Sequence, residues 1–337
     1  MKAVGYHHNL PLSDPQALLD LELPEPVPGA QDLLVEVRAV SVNPVDTKVR
    51  KGVAPAEGQA KVLGWDAAGV VRAVGAEVAG FQPGDRVWYA GALTRPGSNS
   101  ALHAVDARIA SRMPASLGFE QAAALPLTTI TAWELLFERL GVAHGGGEGQ
   151  QLLVVGAAGG VGSILVQLAR QLTRLEVIAT ASRPETVEWT RAMGAHQVID
   201  HRHNLAQELA RIGRPQVALV AALTQTERHF PALAEALAPQ GRLALIDDPA
   251  TPLDIGLLKR KSISLHWEFM FTRSMFETPD IAEQGKLLAR VASLVDEGRL
   301  RSTMTRSFGT MNAENLKAAH AWVESGSAIG KAVLAGF

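Results

Sequence analysis

The chain contains no cysteine. That excludes disulfides, a thiol nucleophile and any thiolate-held metal. It has only two tyrosines, Tyr6 and Tyr89. Neither is followed by lysine at the fourth position, so the tyrosine–lysine pair of short-chain dehydrogenases is missing. No apolar run approaches the roughly 20 residues needed to cross a bilayer, and the N-terminal MKAVGYHHNLPLSD lacks the hydrophobic core of a secretion signal. A soluble, cytoplasmic protein without membrane partners is expected. Net charge is −2, and Lys259-Arg260-Lys261 is the only basic block. No basic, aromatic-studded stripe is present to track a nucleic acid, so nucleic-acid partners are not expected.

A length of 337 residues suggests about two domains. Up to about Val105 the sequence is rich in short β-like runs, such as Leu33-Leu34-Val35-Glu36-Val37 and Gly69-Val70-Val71-Arg72-Ala73-Val74. Turn signals such as Pro28-Gly29 and Pro83-Gly84-Asp85 cut them, which predicts an all-β module. From Leu152 the rhythm becomes strand and helix in alternation. Strands are predicted at Val177–Ala179, Val198–Ile199, Val217–Leu223, Arg242–Ile246 and Ser262–Phe269. Helices are predicted at Pro184–Met193, Leu205–Arg211 and Thr226–Leu237. This is the pattern of a doubly wound parallel sheet. Helices around Ala282–Gly298 and Ala313–Gly326 follow, and a last β-like run, Lys331–Leu334, is expected to return to the first domain. The glycines of His144–Gly149 lack a following Gly-Lys-Ser/Thr and read as a surface connection, not a phosphate loop. There is no internal repeat.

The stretch VVGAAGGVGSI, Val154–Ile164, holds almost no side chain able to do chemistry. Its apolar start, glycine break and helical continuation read as strand, turn and helix. Such a turn lets the main chain approach a pyrophosphate at a helix N-terminus. Ala158, Gly159, Gly160 and Val161 are therefore candidate cofactor residues, although Ala157 stands at the first glycine position of G-x-G-x-x-G. Small residues that merely allow close helix–strand packing are the competing explanation. Past the second strand, the place where an NAD enzyme puts an acid on the adenosine ribose reads Ala181-Ser182-Arg183. A hydroxyl and a guanidinium there suit the 2′-phosphate of NADPH, against the alternative of an ordinary surface arginine before a helix. Leu223 and Ile246, which end two of the later strand runs, complete the expected cofactor wall.

Together with Ser41-Val42-Asn43-Pro44-Val45-Asp46, Leu63-Gly64-Trp65-Asp66-Ala67-Ala68-Gly69, Pro83-Gly84-Asp85-Arg86-Val87, Ala124-Leu125-Pro126-Leu127-Thr128-Thr129 and Gly330-Lys331-Ala332-Val333-Leu334, the glycine turn resembles the zinc-free, quinone-oxidoreductase-like branch of the medium-chain dehydrogenase/reductase superfamily. The resemblance spans essentially the whole chain. It implies an α/β protein with a GroES-like, mostly-β catalytic domain over 1–125, completed by 272–337. A Rossmann NADPH-binding domain would span 126–271, with the active site in the cleft. Zinc alcohol dehydrogenases hold their metal with two cysteines and a histidine. The matching positions here are Asn43, Trp65 and Leu125, so no metal is expected.

Without a metal, an isolated carbonyl or an alkoxide lacks an obvious electrophilic partner. Hydride delivered to a quinone or an enone yields a charge that the substrate itself delocalises, and a few hydrogen bonds then suffice. Asn43, Asp46, Trp65, Tyr89 and Thr129 are the candidates for polar contacts at the reacting centre. The resemblance ranks Asn43 and Thr129 first, since their counterparts approach the cofactor. Asp46 has the alternative of binding backbone around Pro44, and Tyr89 that of a packed aromatic with its hydroxyl at the surface. His201 stands where relatives often have a tyrosine near the adenosine phosphate, and Lys331 matches a basic residue near the cofactor. The alternation Ile263, Leu265, Trp267, Phe269, Phe271 predicts a half-buried strand, and the resemblance implies that it pairs with its copy in a homodimer. An alkenal or enone reductase with little quinone activity and a non-catalytic NADPH-binding protein are the rival readings.

Overall fold

The computed structural model describes residues 1–337. They form two compact units, Met1–Ile130 with Phe271–Phe337, and Thr131–Met270. No helix is long and apolar enough to cross a membrane.

The Thr131–Met270 unit is built on a six-stranded sheet in the order Gln197–Ile199, Glu176–Thr180, Gln151–Val155, Val217–Ala222, Leu237–Leu245, Ser264–Trp267. Every pairing is parallel. A parallel sheet covered on both faces needs strands that are apolar on both sides, and QLLVV, EVIAT and VALVAA meet that demand. One face packs Leu153, Ile178, Val220 and Leu243 with Leu205, Leu209, Phe230 and Leu233 from two helices. The helices Pro184–Met193 and Leu205–Arg211 have the bounds that the sequence predicts. The first is punctuated at both ends, by proline at its opening position and by Gly194 in left-handed backbone, φ 113°, at its close.

The last strand is shorter than Ser262–Phe269. Ser262 has φ 52°, a left-handed backbone that no strand continues, and pairing begins at Ser264. Ile263 and Leu265 pack on the core, whereas Trp267 and Phe269 are about half exposed. This strand is the open edge of the sheet. Glu268, just beyond it, is buried with Oε2 2.8 Å from Arg139 Nε. Burial and the neighbouring Glu134 carboxyl push the Glu268 carboxyl above the usual range, opposed by the Arg139 guanidinium.

The larger unit carries a sheet in the order Met304–Ser307, Lys331–Ala335, Asp32–Val42, Ala67–Val74, Arg86–Tyr89, Ala110–Arg112, with Leu102–Asp106 also paired to Asp32–Val42. A small sheet of Leu19–Glu22, Lys2–Tyr6 and Lys61–Val62 accompanies it. The C-terminal run does return, with Ala332 opposite Val42 and Ala335 opposite Ala39. The first hundred residues are not wholly β, however, because Pro44–Gly52 is a helix. Asn43 stands at its N-cap, Pro44 opens it, Asp46 accepts the Asn43 N–H, and Arg50 and Lys51 sit in the last turn. These are ordinary helix start and stop signals, present in the sequence but hidden among strands.

Gly162 provides a check on the turn. A Cβ there would lie 2.5 Å from Ala157 Cα and from Gly156 O, both backbone, whereas at Gly159 the nearest atom is 3.5 Å away. Gly162→Ala is therefore expected to cost roughly 1–3 kcal/mol through overpacking and Gly159→Ala much less. Urea unfolding of the two variants beside the wild type measures the difference, and equal losses would contradict this account of the turn.

Candidate functional site

In the Rossmann unit the first strand ends at Val155 and the chain reverses at Gly156, φ +83°. Its N–H donates to Thr180 Oγ1 at 3.1 Å, and a Cβ would meet Thr224 Cγ2 at 2.8 Å. The left-handed residue that the sequence pattern seeks at Ala157 is thus supplied one position earlier. Gly159 caps the helix Gly160–Leu172 in extended backbone. No side chain caps this helix and no acid lies in its first turn. An uncapped, acid-free N-terminus behind a small-residue turn fits a pyrophosphate. The helix is held in place from its buried side, where Ser163 Oγ donates to Gly159 O at 2.7 Å and accepts Trp189 Nε1 at 2.8 Å.

The other candidates of this unit follow strand C-termini, and in a parallel sheet that places them along one edge. Ala181 is buried and its N–H donates to Ile199 O. Ser182 and Arg183 are partly exposed, and Arg183 Nε lies 3.0 Å from Glu185 Oε1. His201 falls in the turn after the third strand, facing His229 with ring centroids 6.5 Å apart. Leu223 donates its N–H to Val155 O across the switch point between the first and fourth strands. Ile246 is partly buried just past the fifth. The residue after it, Asp247, accepts both the N–H and the hydroxyl of Thr226 and so anchors the next helix.

In the GroES-like unit, Asn43, Asp46 and Lys331 come together with a residue not singled out from sequence, Asp66. Lys331 Nζ donates to Asn43 Oδ1 at 2.5 Å and to Val42 O at 2.8 Å, and lies 3.3 Å from Asp66 Oδ2. Asn43 Nδ2 donates to Asp66 Oδ2 at 3.1 Å, and Asp66 Oδ1 accepts the Leu127 N–H. Asp46 accepts the N–H groups of Asn43 and Gly64. All four side chains are buried. One signal for Asp66 was legible: it is a lone charge at the mouth of the apolar run Ala67-Ala68-Gly69-Val70-Val71.

Burial pushes Asp66 up to about 6, opposed by the Lys331 ammonium and the Asn43 amide. Burial likewise pushes Asp46 up to about 7, opposed by the Asn43 N–H and by Lys331, with Asp66 adding to the rise. Lys331 is held below the usual lysine range by burial, against the pull of Asp66 and Asp46. The arrangement fixes the Asn43 amide at both ends.

The remaining candidates separate. Trp65 is buried and donates Nε1 to Ala92 O at 3.1 Å, with Phe271 edge-on to its ring. Tyr89 is also fully buried, its hydroxyl 3.1 Å from His103 Nδ1, so it is not at the surface. Thr129 is buried with no hydrogen-bond partner for Oγ1, a free donor and acceptor. Leu125 is buried, and no group of three or more His, Asp or Glu side chains stands where it could hold a metal ion. The residues do not fit a zinc site.

Residues 29–125 match the alcohol dehydrogenase GroES-like domain, and residues 193–334 match a family described as zinc-binding dehydrogenase. The chain is 37% identical over 337 residues to a zinc-type alcohol dehydrogenase-like protein of Staphylococcus aureus, with 99% of each covered. Among solved structures it is similar to a protein of Rhizobium etli CFN 42 described provisionally as a zinc-dependent alcohol dehydrogenase, at TM-score 0.95 and 56% identity, covering 100% of this chain and 98% of that one. It is also similar to the Escherichia coli quinone oxidoreductase complexed with NADPH, at TM-score 0.84 and 26% identity, covering 99% and 100%.

The buried network has a testable pH signature. The folded protein holds protons on Asp66 and Asp46 up to about 6 and 7, whereas an unfolded aspartate releases its proton near 3.9. Between those values the native state binds more protons, so their contribution to stability is full below about pH 4 and is lost as pH rises to 7. The stability of the wild type relative to Asp66→Asn is expected to fall across that window by up to about 1.4 kcal/mol per pH unit. Urea unfolding at pH 4.5, 5.5 and 6.5 reads it, and a flat or rising difference would refute the assignment.

Proposed function

Because the chain belongs to the medium-chain dehydrogenase/reductase superfamily, we propose that it is an NADPH-dependent oxidoreductase that transfers a hydride to a quinone or an α,β-unsaturated carbonyl without a metal. The observation that carries this reading is the fate of the three positions where zinc relatives place ligands. Asn43 is locked by Lys331 and Asp66, Trp65 is turned onto Ala92 O, and Leu125 is an apolar core residue.

Bound NADPH supplies the hydride. The uncapped turn at Gly159 and Gly160 is suited to receive the pyrophosphate through backbone N–H groups. Ser182 and Arg183 offer donors to the 2′-phosphate, and the buried, apolar Ala181 presents no acid to repel it. The NADPH complex of the Escherichia coli relative supports the same cofactor. In the GroES-like unit Lys331 and Asp66 hold the Asn43 amide in one orientation, and Thr129 retains a buried hydroxyl with hydrogen-bonding capacity to spend. Those groups position cofactor and acceptor, and they suffice for an acceptor that spreads its own developing charge. The final proton comes from water or from a side chain.

NADPH oxidation with a panel of quinones and enones tests the activity directly, and binding without turnover on every acceptor would leave only a nucleotide-binding role. A hydrogen bond to a charged group contributes about 1.5–3 kcal/mol, so Arg183→Ala is expected to weaken NADPH roughly ten- to a hundredfold while NADH hardly changes. Equal losses for both cofactors would show that the arginine serves the shared part of the nucleotide or the fold.

The open edge strand Ser264–Trp267 supports a homodimer. Its outer hydrogen-bonding groups are unpaired, and Trp267 and Phe269 are exposed beside them, a surface that in a lone monomer invites aggregation. Light scattering across a dilution series is expected to give twice the chain mass, and Trp267→Lys to give the single-chain mass. A monomer at micromolar wild-type concentration would refute the pairing.

A further inference from the structure

At the carboxyl edge of the Rossmann sheet, three elements bring their cationic and imidazole side chains together. Arg183 stands at the start of the helix Pro184–Met193, His201 and Arg202 lie in the turn after Gln197–Ile199, and Arg228 and His229 lie in the first turn of the helix Thr226–Ala236. The two imidazoles face each other at 6.5 Å between ring centroids, and neither makes a hydrogen bond to the protein. His229 is only 7% exposed. Its ring nitrogens are nevertheless not among the enclosed polar atoms, so they remain open to a ligand.

The acids nearby are largely committed. Asp200 is paired with Arg202 through both oxygens, and Glu185 with Arg183. Around His201 stand Asp200, Arg228, Arg202 and Arg183, and around His229 stand Arg228, His201 and Glu227. Once these two ion pairs are set aside, Arg228 and Glu227 remain beside the imidazoles, and Arg228 is the cation named for both rings.

We propose that His201 and His229 form a proton-linked clamp for the 2′-phosphate of the cofactor, with the pair taking up a proton as that phosphate arrives. The proposal rests on the NADPH reading and adds His229, its neighbour Arg228 and a pH dependence to it. Burial and the surrounding arginines hold both imidazoles below the usual histidine range in the free protein, and for His229 the facing His201 adds to this. They are therefore neutral at pH 7. A phosphate dianion reverses the local field: it offsets the arginines, accepts hydrogen bonds from both rings and favours their charged form. Proton uptake means that NADPH binds more weakly as pH rises. NADH brings no such charge and no such linkage. The ligand's own second ionisation, near pH 6, acts in the opposite sense, because binding the dianion releases protons below about pH 6.5.

Calorimetric titration of NADPH and of NADH into the full-length protein at pH 7.5, in two buffers of different ionisation enthalpy, counts the protons. Roughly half to one proton taken up per NADPH and none per NADH is expected. The NADPH dissociation constant should rise about tenfold between pH 6.5 and 8.5, and His229→Gln should abolish both the uptake and most of that rise. If NADPH binds no better than NADH at any pH, the cofactor reading fails. If NADPH is preferred but no proton is taken up, or His229→Gln takes up as many as the wild type, the clamp is overturned and the cofactor reading stands. Should His229→Gln fail to fold, the two-buffer comparison on the wild type decides alone.

Discussion

The placement of one ammonium group, Lys331 Nζ, governs the arrangement of the GroES-like unit around its candidate centre. Buried and bonded to Val42 O, Asn43 Oδ1 and Asp66 Oδ2, it ties the C-terminal strand to the segment that starts the helix Pro44–Gly52. A buried ion pair is a poor source of stability, because desolvating both partners offsets most of their attraction. Its effect is orientation. With Lys331 at one end of the Asn43 amide and Asp66 at the other, oxygen and nitrogen cannot exchange places. Asp46 then fixes the Asn43 backbone from the other side and reaches Gly64 as well. One small polar cluster thereby sets the geometry of two motifs far apart in sequence.

The Rossmann unit works by the opposite means. Its candidate groups owe their proximity to topology, since every strand runs the same way and every following loop emerges at one edge. There the turn around Gly156 and Gly159 contributes main chain where side chains would obstruct, and polarity enters on the neighbouring loops through Ser182, Arg183 and His201 and on the helix Thr226–Ala236 through His229.

Much of this was legible in the chain itself. The helices Pro184–Met193 and Leu205–Arg211 were readable to the residue because proline, asparagine and glycine punctuate them. The strands were readable because a two-sided buried sheet forces continuous apolar runs. What was not legible depended on tertiary context. The helix Pro44–Gly52 carries proper caps but is short and set among strands. The last strand lost its opening residues to the left-handed Ser262, which no residue preference for serine signals. The reversal at Gly156 escaped because a fixed glycine spacing points to Ala157. Asp66 went unweighed because a carboxylate beside apolar residues gains meaning only when Lys331, 265 positions later, is seen against it. Tyr89 illustrates the same limit, for its hydroxyl meets His103 across two strands that spacing alone does not register.

The central place of the C-terminal strand has a consequence for biosynthesis. Lys331–Ala335 lies between Met304–Ser307 and Asp32–Val42 in the larger sheet. A chain emerging from the ribosome therefore completes the contiguous unit Thr131–Met270 while the larger sheet still lacks an interior strand. Domains tend to fold as units during synthesis, so the N-terminal segment must wait, with one edge of Asp32–Val42 unpaired, until Lys331–Ala335 has been made. The aggregation-sensitive interval thus lasts until that strand is synthesised, and a chain lacking Lys331–Ala335 has a gap within the sheet instead of a frayed end.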